Sequence, residues 1–173
     1  MNKFIFFVFF GLLGFNYHIH DDNNSYFKIA KSKLQQFNPK HKDYVVIIDY
    51  RKNIFSERLY LLDTKNEKII LNCRVSHAWA SGFFYPKYTS NVSGSEKSSV
   101  GAFITKNSRP GQYGYSMVIK GVENGKNNNV EKRVIIFHPT RNPWSKGCFA
   151  TSKENNKVII DHMKNGRLVY VIN

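Results

Sequence analysis

Near the end of this sequence, a histidine and a cysteine occur in a pattern that could support covalent chemistry. Residues 134–151 read V-I-I-F-H-P-T-R-N-P-W-S-K-G-C-F-A-T, so that an apolar run delivers His138 and a polar turn leads to Cys148. A cysteine thiol is mostly protonated near neutral pH, and a nucleophilic cysteine therefore needs a positioned imidazole or a field that favours the thiolate. The pattern predicts acyl transfer, with Cys148 as the nucleophile and His138 as the base.

Gly147, directly before the cysteine, is a further feature that acyl transfer would use. A glycine allows a backbone conformation that a side chain would forbid, and it lets a substrate carbonyl approach the backbone closely. Backbone N–H groups at such a place stabilise the oxyanion of a tetrahedral intermediate. We expect the N–H groups of Gly147 and Cys148 to form this oxyanion hole.

Two other kinds of site compete with this interpretation. A zinc site needs about four ligands, usually in closely spaced pairs such as C-x-x-C or H-x-x-x-H, and the sequence contains neither pair. We therefore expect no metal, and glycine-rich phosphate-binding motifs are absent as well.

The second alternative is a disulfide between Cys148 and Cys73, the other cysteine of the chain. An oxidising compartment favours that bond, whereas a Cys73 that is buried in the core leaves Cys148 reactive.

Charge and the N-terminus indicate where the chain works. Lys and Arg outnumber Asp and Glu by 26 to 12, and the net charge of +14 favours a polyanionic partner such as nucleic acid, anionic lipid or an acidic cell wall. Lys3 is followed by F-I-F-F-V-F-F-G-L-L-G-F, which has the length of a secretory signal core and is short for a membrane span. We expect residues 1–19 to be a signal peptide or an N-terminal membrane anchor of an exported protein, which disfavours nucleic acid as the partner.

The elements that would hold the histidine and the cysteine follow from periodicity. Short runs rich in branched and aromatic residues predict strands, beginning with Y-V-V-I-I-D, R-L-Y-L-L-D and K-I-I-L-N-C-R-V, and the run from Arg133 to His138 predicts the strand that carries the base. Apolar residues three or four apart predict helices at 26–37 and from Ser152 to about Met163. We expect a linker and flanking helix at 20–42 and one mostly β domain at 43–173.

Several stretches, taken in order, resemble the catalytic domain of murein-type L,D-transpeptidases. S-K-G-C-F-A, after a strand that ends in His138, is similar to that family's His…Ser-x-Gly-Cys signature. Upstream, V-S-H-A-W-A-S-G resembles its histidine-containing segment, and S-N-V-S-G-S-E-K-S-S-V-G-A-F-I-T resembles its serine-rich block. The similarity continues through Y-G-Y-S-M-V-I-K-G-V-E-N-G-K-N-N and R-V-I-I-F-H, and it covers roughly residues 43–173.

The resemblance implies a β-sandwich-like, mostly β fold with flanking helices, and it implies a reaction. The cysteine would attack the carbonyl of the third residue of a peptidoglycan tetrapeptide stem, expel the terminal D-alanine and leave a thioester. An amine from a second stem would then form a crosslink, without any cofactor. Water in place of that amine would give L,D-carboxypeptidase activity, and this alternative stays open.

The resemblance also assigns roles to residues of this chain. Cys148 is the nucleophile, His138 the base, Gly147 a part of the oxyanion wall and Ser145 a supporting group. A role in substrate binding is expected for His77, Asn91 and Ser99, which lie in the family-like segments, and also for Lys146, which the resemblance does not cover. Without the resemblance, a histidine at a strand end, such as His77 beside Trp79, is more often a packed, hydrogen-bonded residue than a catalyst.

The turn before the cysteine departs from the family pattern. Lys146 stands where many members have a second histidine or an aromatic residue, and the path from Pro139 to Lys146 is short. A lysine there could favour the thiolate, hold a substrate carboxylate or simply be solvated. If the turn failed to present the cysteine, the chain would instead be a non-catalytic basic module that binds the cell wall. The sequence does not predict an oligomeric state.

Overall fold

The computed structural model describes residues 24–173. The signal peptide or anchor predicted at residues 1–19 lies outside the described residues, as does the start of the linker predicted at 20–42. Within residues 24–173, no helix is long and apolar enough to cross a membrane.

The described chain alternates short strands with loops and carries a helix near each end. Helix α1 covers residues 24–37, and a short 3-10 helix covers Trp79–Ser81. The other elements, in chain order, are β1 (Tyr44–Asp49), β2 (Leu59–Asp63), β3 (Lys68–Cys73), β4 (His77–Ala78), β5 (Gly101–Gly111), β6 (Gly114–Gly121), β7 (Ile136–Pro139), β8 (Trp144–Ser145), β9 (Phe149–Thr151), α2 (Lys153–Met163) and β10 (Leu168–Ile172). The prediction of a mostly β fold with flanking helices is confirmed.

Within residues 24–173, the strands form one large mixed sheet and one small sheet. The large sheet has eight strands in the order β3-β2-β1-β10-β5-β6-β7-β9, and β4 pairs with β8 in the small sheet. The pairs β1–β10 and β7–β9 are parallel, and the other pairs of the large sheet are antiparallel. The strand pair β7–β9 at one edge carries the predicted chemistry.

Alternation along the central strands builds a core on each face of the large sheet. In β1, Val46 and Ile48 belong to one core, whereas Val45 and Ile47 belong to the other. This burial on both faces explains the unbroken apolar run of that strand. Helix α2 contributes to the first core and α1 to the second, through Tyr26, Ala30 and Leu34 on α1 and Ile159, Ile160 and Met163 on α2.

The strand that carries His138 starts later than the sequence predicts. Instead of beginning at Arg133, β7 begins at Ile136, and Val134 has a positive φ of 54°. A β-branched residue rarely adopts that conformation. Residues 131–134 form a tight turn, which is closed by a hydrogen bond from the N–H of Val134 to the carbonyl oxygen of Glu131 at 3.0 Å. This turn, rather than a strand, sets the position of Arg133.

Candidate active site

The parallel pair β7–β9 brings the segments that carry His138 and Cys148 side by side at the sheet edge. Phe137 and Phe149 are register partners, both are fully buried, and their ring centroids lie 5.2 Å apart. His138 directly follows Phe137 in β7 and Cys148 directly precedes Phe149, so the strand pairing places the two residues on adjacent segments at the sheet edge.

The hydrogen bond of His138 determines which ring nitrogen can act as a base. Its Nδ1 lies 2.9 Å from the carbonyl oxygen of Pro139. A carbonyl oxygen only accepts, so Nδ1 carries the proton and donates, and Nε2 keeps a free lone pair. The imidazole also stacks on Tyr113, with ring centroids 4.8 Å apart. Tyr113 lies in the β5–β6 turn, and no local sequence signal marked it as part of this site.

Cys148 carries a free thiol that is partly buried. Its Sγ lies 3.7 Å from the carbonyl oxygen of Val134, to which the thiol donates. Burial raises the pKa of the Cys148 thiol, while the N–H of Ile136 and the charge of Arg133 act in the opposite direction without cancelling the effect. The resting thiol is therefore protonated near neutral pH and needs a base for attack.

The second cysteine is remote from this chemistry. Cys73 is free and lies in the hydrophobic core, where burial raises the pKa of its thiol to about 12. The structure thus contains two free thiols rather than the alternative disulfide, with an inert Cys73 and a more accessible Cys148.

Arg133 is a site residue that sequence reasoning missed. Its guanidinium donates to the carbonyl oxygens of Ser90 and Lys97 and, at 2.6 Å, to the hydroxyl of Ser99. Burial lowers the pKa of Arg133, and the neighbouring Cys148 thiolate would favour the charged guanidinium. The guanidinium thus links the loop before β5 to the cysteine.

Hydroxyl groups fix the turn that precedes Cys148. The hydroxyl of Ser145 donates to the carbonyl oxygen of Cys148 at 2.8 Å and accepts from the N–H of Gly147 at 3.1 Å. The hydroxyl of Ser76 donates to the same carbonyl at 3.1 Å and accepts from the N–H of Ala150 at 2.9 Å. Ser145 therefore fixes the backbone around Cys148, and its supporting role in catalysis stays a prediction.

Gly147 has the conformational role expected of it but not the predicted hydrogen bond. Its φ of +122° is a backbone conformation that favours glycine. A side chain at this position would also be crowded, because its Cβ would lie only 3.2 Å from the carbonyl oxygen of Lys97. Because its N–H already donates to Ser145, it is not free for an oxyanion in this structure. The prediction that the Gly147 N–H lines the oxyanion hole is corrected on this point.

Comparison with known proteins identifies the domain. The family described as "L,D-transpeptidase catalytic domain" matches residues 19–172, nearly the whole chain. This chain belongs to the L,D-transpeptidase catalytic domain family. Comparison with curated proteins gives no match.

Solved structures that resemble this L,D-transpeptidase domain are distant in sequence. A fused zinc-dependent amidase/peptidase/peptidoglycan-binding domain-containing protein from Clostridium acetobutylicum has a TM-score of 0.51 at 13% identity, with 87% of this chain and 62% of that chain covered. An L,D-transpeptidase from Stackebrandtia nassauensis has a TM-score of 0.48 at 15% identity, with 76% and 56% covered. An L,D-transpeptidase from Mycobacterium smegmatis has a TM-score of 0.47 at 12% identity, with 76% and 59% covered. The chain thus spans between about half and two thirds of the length of these proteins.

The histidine of the upstream family-like segment, His77, is a core residue. It is fully buried, its Nδ1 lies 2.9 Å from Arg58 Nη2, and its Nε2 lies 2.7 Å from the carbonyl oxygen of Gly82. Arg58 can only donate and the carbonyl can only accept, so the ring is neutral with its proton on Nε2. Burial, aided by the charge of Arg58, lowers the pKa of His77 to about 4. The predicted contact of His77 with substrate is corrected, because both ring nitrogens are occupied inside the protein.

The other predicted substrate-binding residues hold the loops around the site. Ser99 is buried and accepts from Arg133, and Asn91 accepts from the N–H of Asn129 at 3.0 Å. Lys146 is 81% exposed and pairs with Glu96 at 2.8 Å, which raises the pKa of its ammonium group. A role for these residues in substrate binding stays a prediction.

A cleft of about 620 Å³ lies apart from Cys148 and His138, neither of which lines it. Its lining includes Cys73, residues 140–143 and Ser152. Among residues 24–173, no group of three or more His, Cys, Asp or Glu is placed to hold a metal ion. The groups described at β7–β9 are the thiol of Cys148, the imidazole of His138 and the neighbouring guanidinium of Arg133.

Proposed function

We propose that this chain is an exported cysteine acyltransferase that forms L,D-crosslinks between peptidoglycan stem peptides. The observation that supports the proposal is the parallel pair β7–β9, which joins the segments of a free Cys148 thiol and of a His138 imidazole with an open Nε2 in a domain of this family. Export is supported by the sequence of residues 1–19, and wall binding by the net charge of +14.

In the first half of the reaction, His138 Nε2 takes the proton of Cys148 as Sγ bonds to the carbonyl carbon of the third stem residue. The resulting oxyanion collapses, the bond to the terminal D-alanine breaks, and the imidazolium returns its proton to the leaving amine. A thioester remains on Cys148. Since the Cys148 pKa is raised, proton removal accompanies attack rather than preceding it.

In the second half, an amine of another stem attacks the thioester carbon and gives its proton to His138, and the thiol is restored. The crosslink forms as the S–C bond breaks. The Arg133 guanidinium favours, through its charge, the negative charge that develops on the sulfur during attack and when the thioester breaks. The free thiol also favours an enzyme over the non-catalytic wall-binding module.

Release of D-alanine from tetrapeptide muropeptides tests the proposal. The wild-type chain is expected to release D-alanine, and Cys148→Ala is expected to abolish release while the far-UV circular dichroism stays unchanged. Cys73→Ala is the matched control because it removes the other thiol, which lies in the core. Equal release by wild type and Cys148→Ala would sink the proposal.

A further inference from the structure

Five aromatic rings from three segments of the chain gather on the surface beside the turn that leads to Cys148. Phe55, Trp79, Phe83 and Phe84 are each between 47% and 57% exposed, and Trp144 is partly buried among them. Trp144 lies 4.9 Å, centroid to centroid, from both Trp79 and Phe83, and Phe83 lies 4.7 Å from Phe84. Phe55 completes the group at 6.2 Å from Phe84. We refer to these five residues as the aromatic platform.

Hydrogen bonds between the platform's segments hold it in place. The indole N–H of Trp144 donates to the carbonyl oxygen of Phe83 at 3.0 Å, and the N–H of Ile54 donates to the carbonyl oxygen of Phe84 at 2.9 Å. Beneath the platform, the imidazole of His77 donates to Gly82 at 2.7 Å. A ligand would therefore meet rings that are already positioned, which lowers the entropy cost of binding.

The exposure of the aromatic platform indicates a binding surface. Large apolar side chains that cluster in water mark sites of interaction more often than isolated exposed residues do. None of the five side chains is ionised, although the chain as a whole carries a net charge of +14. The platform therefore suits an uncharged ligand with an apolar face.

The platform is continuous with the proposed active site, and this restricts its ligand. Trp144 precedes Ser145, whose hydroxyl bonds the carbonyl oxygen of Cys148 at 2.8 Å. Three extended stem residues between the reacting carbonyl and the sugar chain span on the order of 10 Å. The sugar chain of a stem peptide that reacts at Cys148 thus stays within reach of the surface that flanks the cysteine, and Trp144 lies four residues before Cys148 in the chain.

We infer that the aromatic platform is a carbohydrate-binding subsite for the glycan strand that carries the reacting stem peptide. A pyranose ring offers a face of C–H groups while its hydroxyl groups stay in water, and weakly positive C–H groups are attracted to the negative faces of aromatic rings. This inference rests on the proposed function, because the stem peptide links the strand to Cys148.

The chain contains its own reporter of this subsite. Its two tryptophans are Trp79 and Trp144, and both belong to the platform. Titration of the full chain with a hexamer of N-acetylglucosamine, which carries no stem peptide, is expected to give a saturable change in tryptophan fluorescence. Trp79→Ala and Phe84→Ala are expected to weaken binding about tenfold or more, as for loss of a central aromatic contact.

Tyr88→Ala is the matched control, because Tyr88 is 64% exposed but lies outside the platform, beneath the ammonium group of Lys97. Tyr88→Ala and Cys148→Ala are expected to bind the hexamer as the wild type does. No fluorescence change, or equal binding by wild type and both platform variants, would overturn the subsite. So would binding of phosphatidylglycerol vesicles that the platform variants lose while the hexamer does not bind, since that result assigns the surface to a membrane.

The subsite and the proposed function fail in distinguishable ways. Release of D-alanine without hexamer binding contradicts the subsite alone. Hexamer binding that depends on Trp79, without D-alanine release, contradicts the proposed acyl transfer and supports sugar recognition by the platform.

Discussion

The positive charge that favours the Cys148 thiolate belongs to Arg133 rather than to Lys146, the lysine of the cysteine motif. Lys146, two residues before the cysteine, is directed to Glu96 at 2.8 Å and is largely exposed to solvent. The Arg133 guanidinium instead lowers the pKa of Cys148, against the larger effect of burial. Solvent screens an exposed ammonium group more strongly than a partly buried guanidinium.

Replacing Arg133 with Gln is expected to raise the Cys148 pKa further, because a positive charge that favours the thiolate is lost. The pH dependence of alkylation by iodoacetamide should then move to higher pH. Arg133→Lys keeps the charge and should stay closer to the wild type. Superimposable profiles for wild type and Arg133→Gln would show that the guanidinium acts on the loop alone.

The sequence predicts His138 and Cys148 as the reactive pair but does not indicate the residues around them. His138 and Cys148 could be predicted from the sequence because each lies in a short motif next to an apolar strand. The sequence predicts Arg133 as the first residue of the strand that carries His138. In the structure, the positive φ of Val134 separates Arg133 from that strand. His77 could not be assigned, since its partners Arg58 and Gly82 come from elements whose packing no local pattern specifies.

At the scale of elements, the loop between β6 and β7 serves as a brace for β5. Asn127 is fully buried, and its amide donates to the carbonyl oxygens of Val100 and Ala102 at 2.9 Å. Its side-chain oxygen accepts from the N–H of Glu123 at 3.0 Å. The same loop carries Arg133, so this brace also holds the guanidinium near the cysteine.

Asn127→Ala is expected to lower the free energy of unfolding by about 2–3 kcal/mol, because buried backbone groups lose their partners. Urea denaturation measures this loss. Asn124→Ala, at an exposed position of the same loop, is the control and should change stability by no more than about 0.5 kcal/mol. Equal midpoints for the two variants would contradict the bracing role.

The elements themselves were largely readable from sequence, whereas this loop was not. The strands β1, β2 and β3 and the helix α2 follow from apolar periodicity, and Ser152 caps α2 by accepting from the N–H of Asn155 at 3.2 Å. Glycine and asparagine in residues 121–129 predicted only a loop. Its structure depends on the buried contacts of Asn127 with a distant strand, and such contacts leave no period in the sequence.

At the scale of the whole molecule, stability depends on pH through His77. The folded-state pKa of His77, about 4, lies below the ordinary value of 6.5. Between pH 4 and pH 6.5, His77 is therefore mostly protonated in the unfolded chain and mostly neutral in the folded chain. The contribution of neutral His77 is complete above pH 6.5 and is lost as the pH falls towards 4. The loss amounts to about 3 kcal/mol, at up to about 1.4 kcal/mol per pH unit.

His77→Gln should be less stable than the wild type at pH 7 but should lose less stability between pH 6.5 and pH 4. Urea denaturation across this range, with the variant subtracted from the wild type, isolates the titration of His77 from that of the carboxylates. Parallel curves would contradict a neutral, buried His77.

The account as a whole depends on a covalent intermediate at Cys148. The most direct measurement is the intact mass of the chain after rapid mixing with a tetrapeptide muropeptide. We predict a transient adduct equal to the muropeptide less its terminal alanine, located on Cys148, present in Cys73→Ala and absent in Cys148→Ala. A folded wild-type chain that forms no adduct while releasing D-alanine, or an adduct that persists in Cys148→Ala, would contradict the central claim.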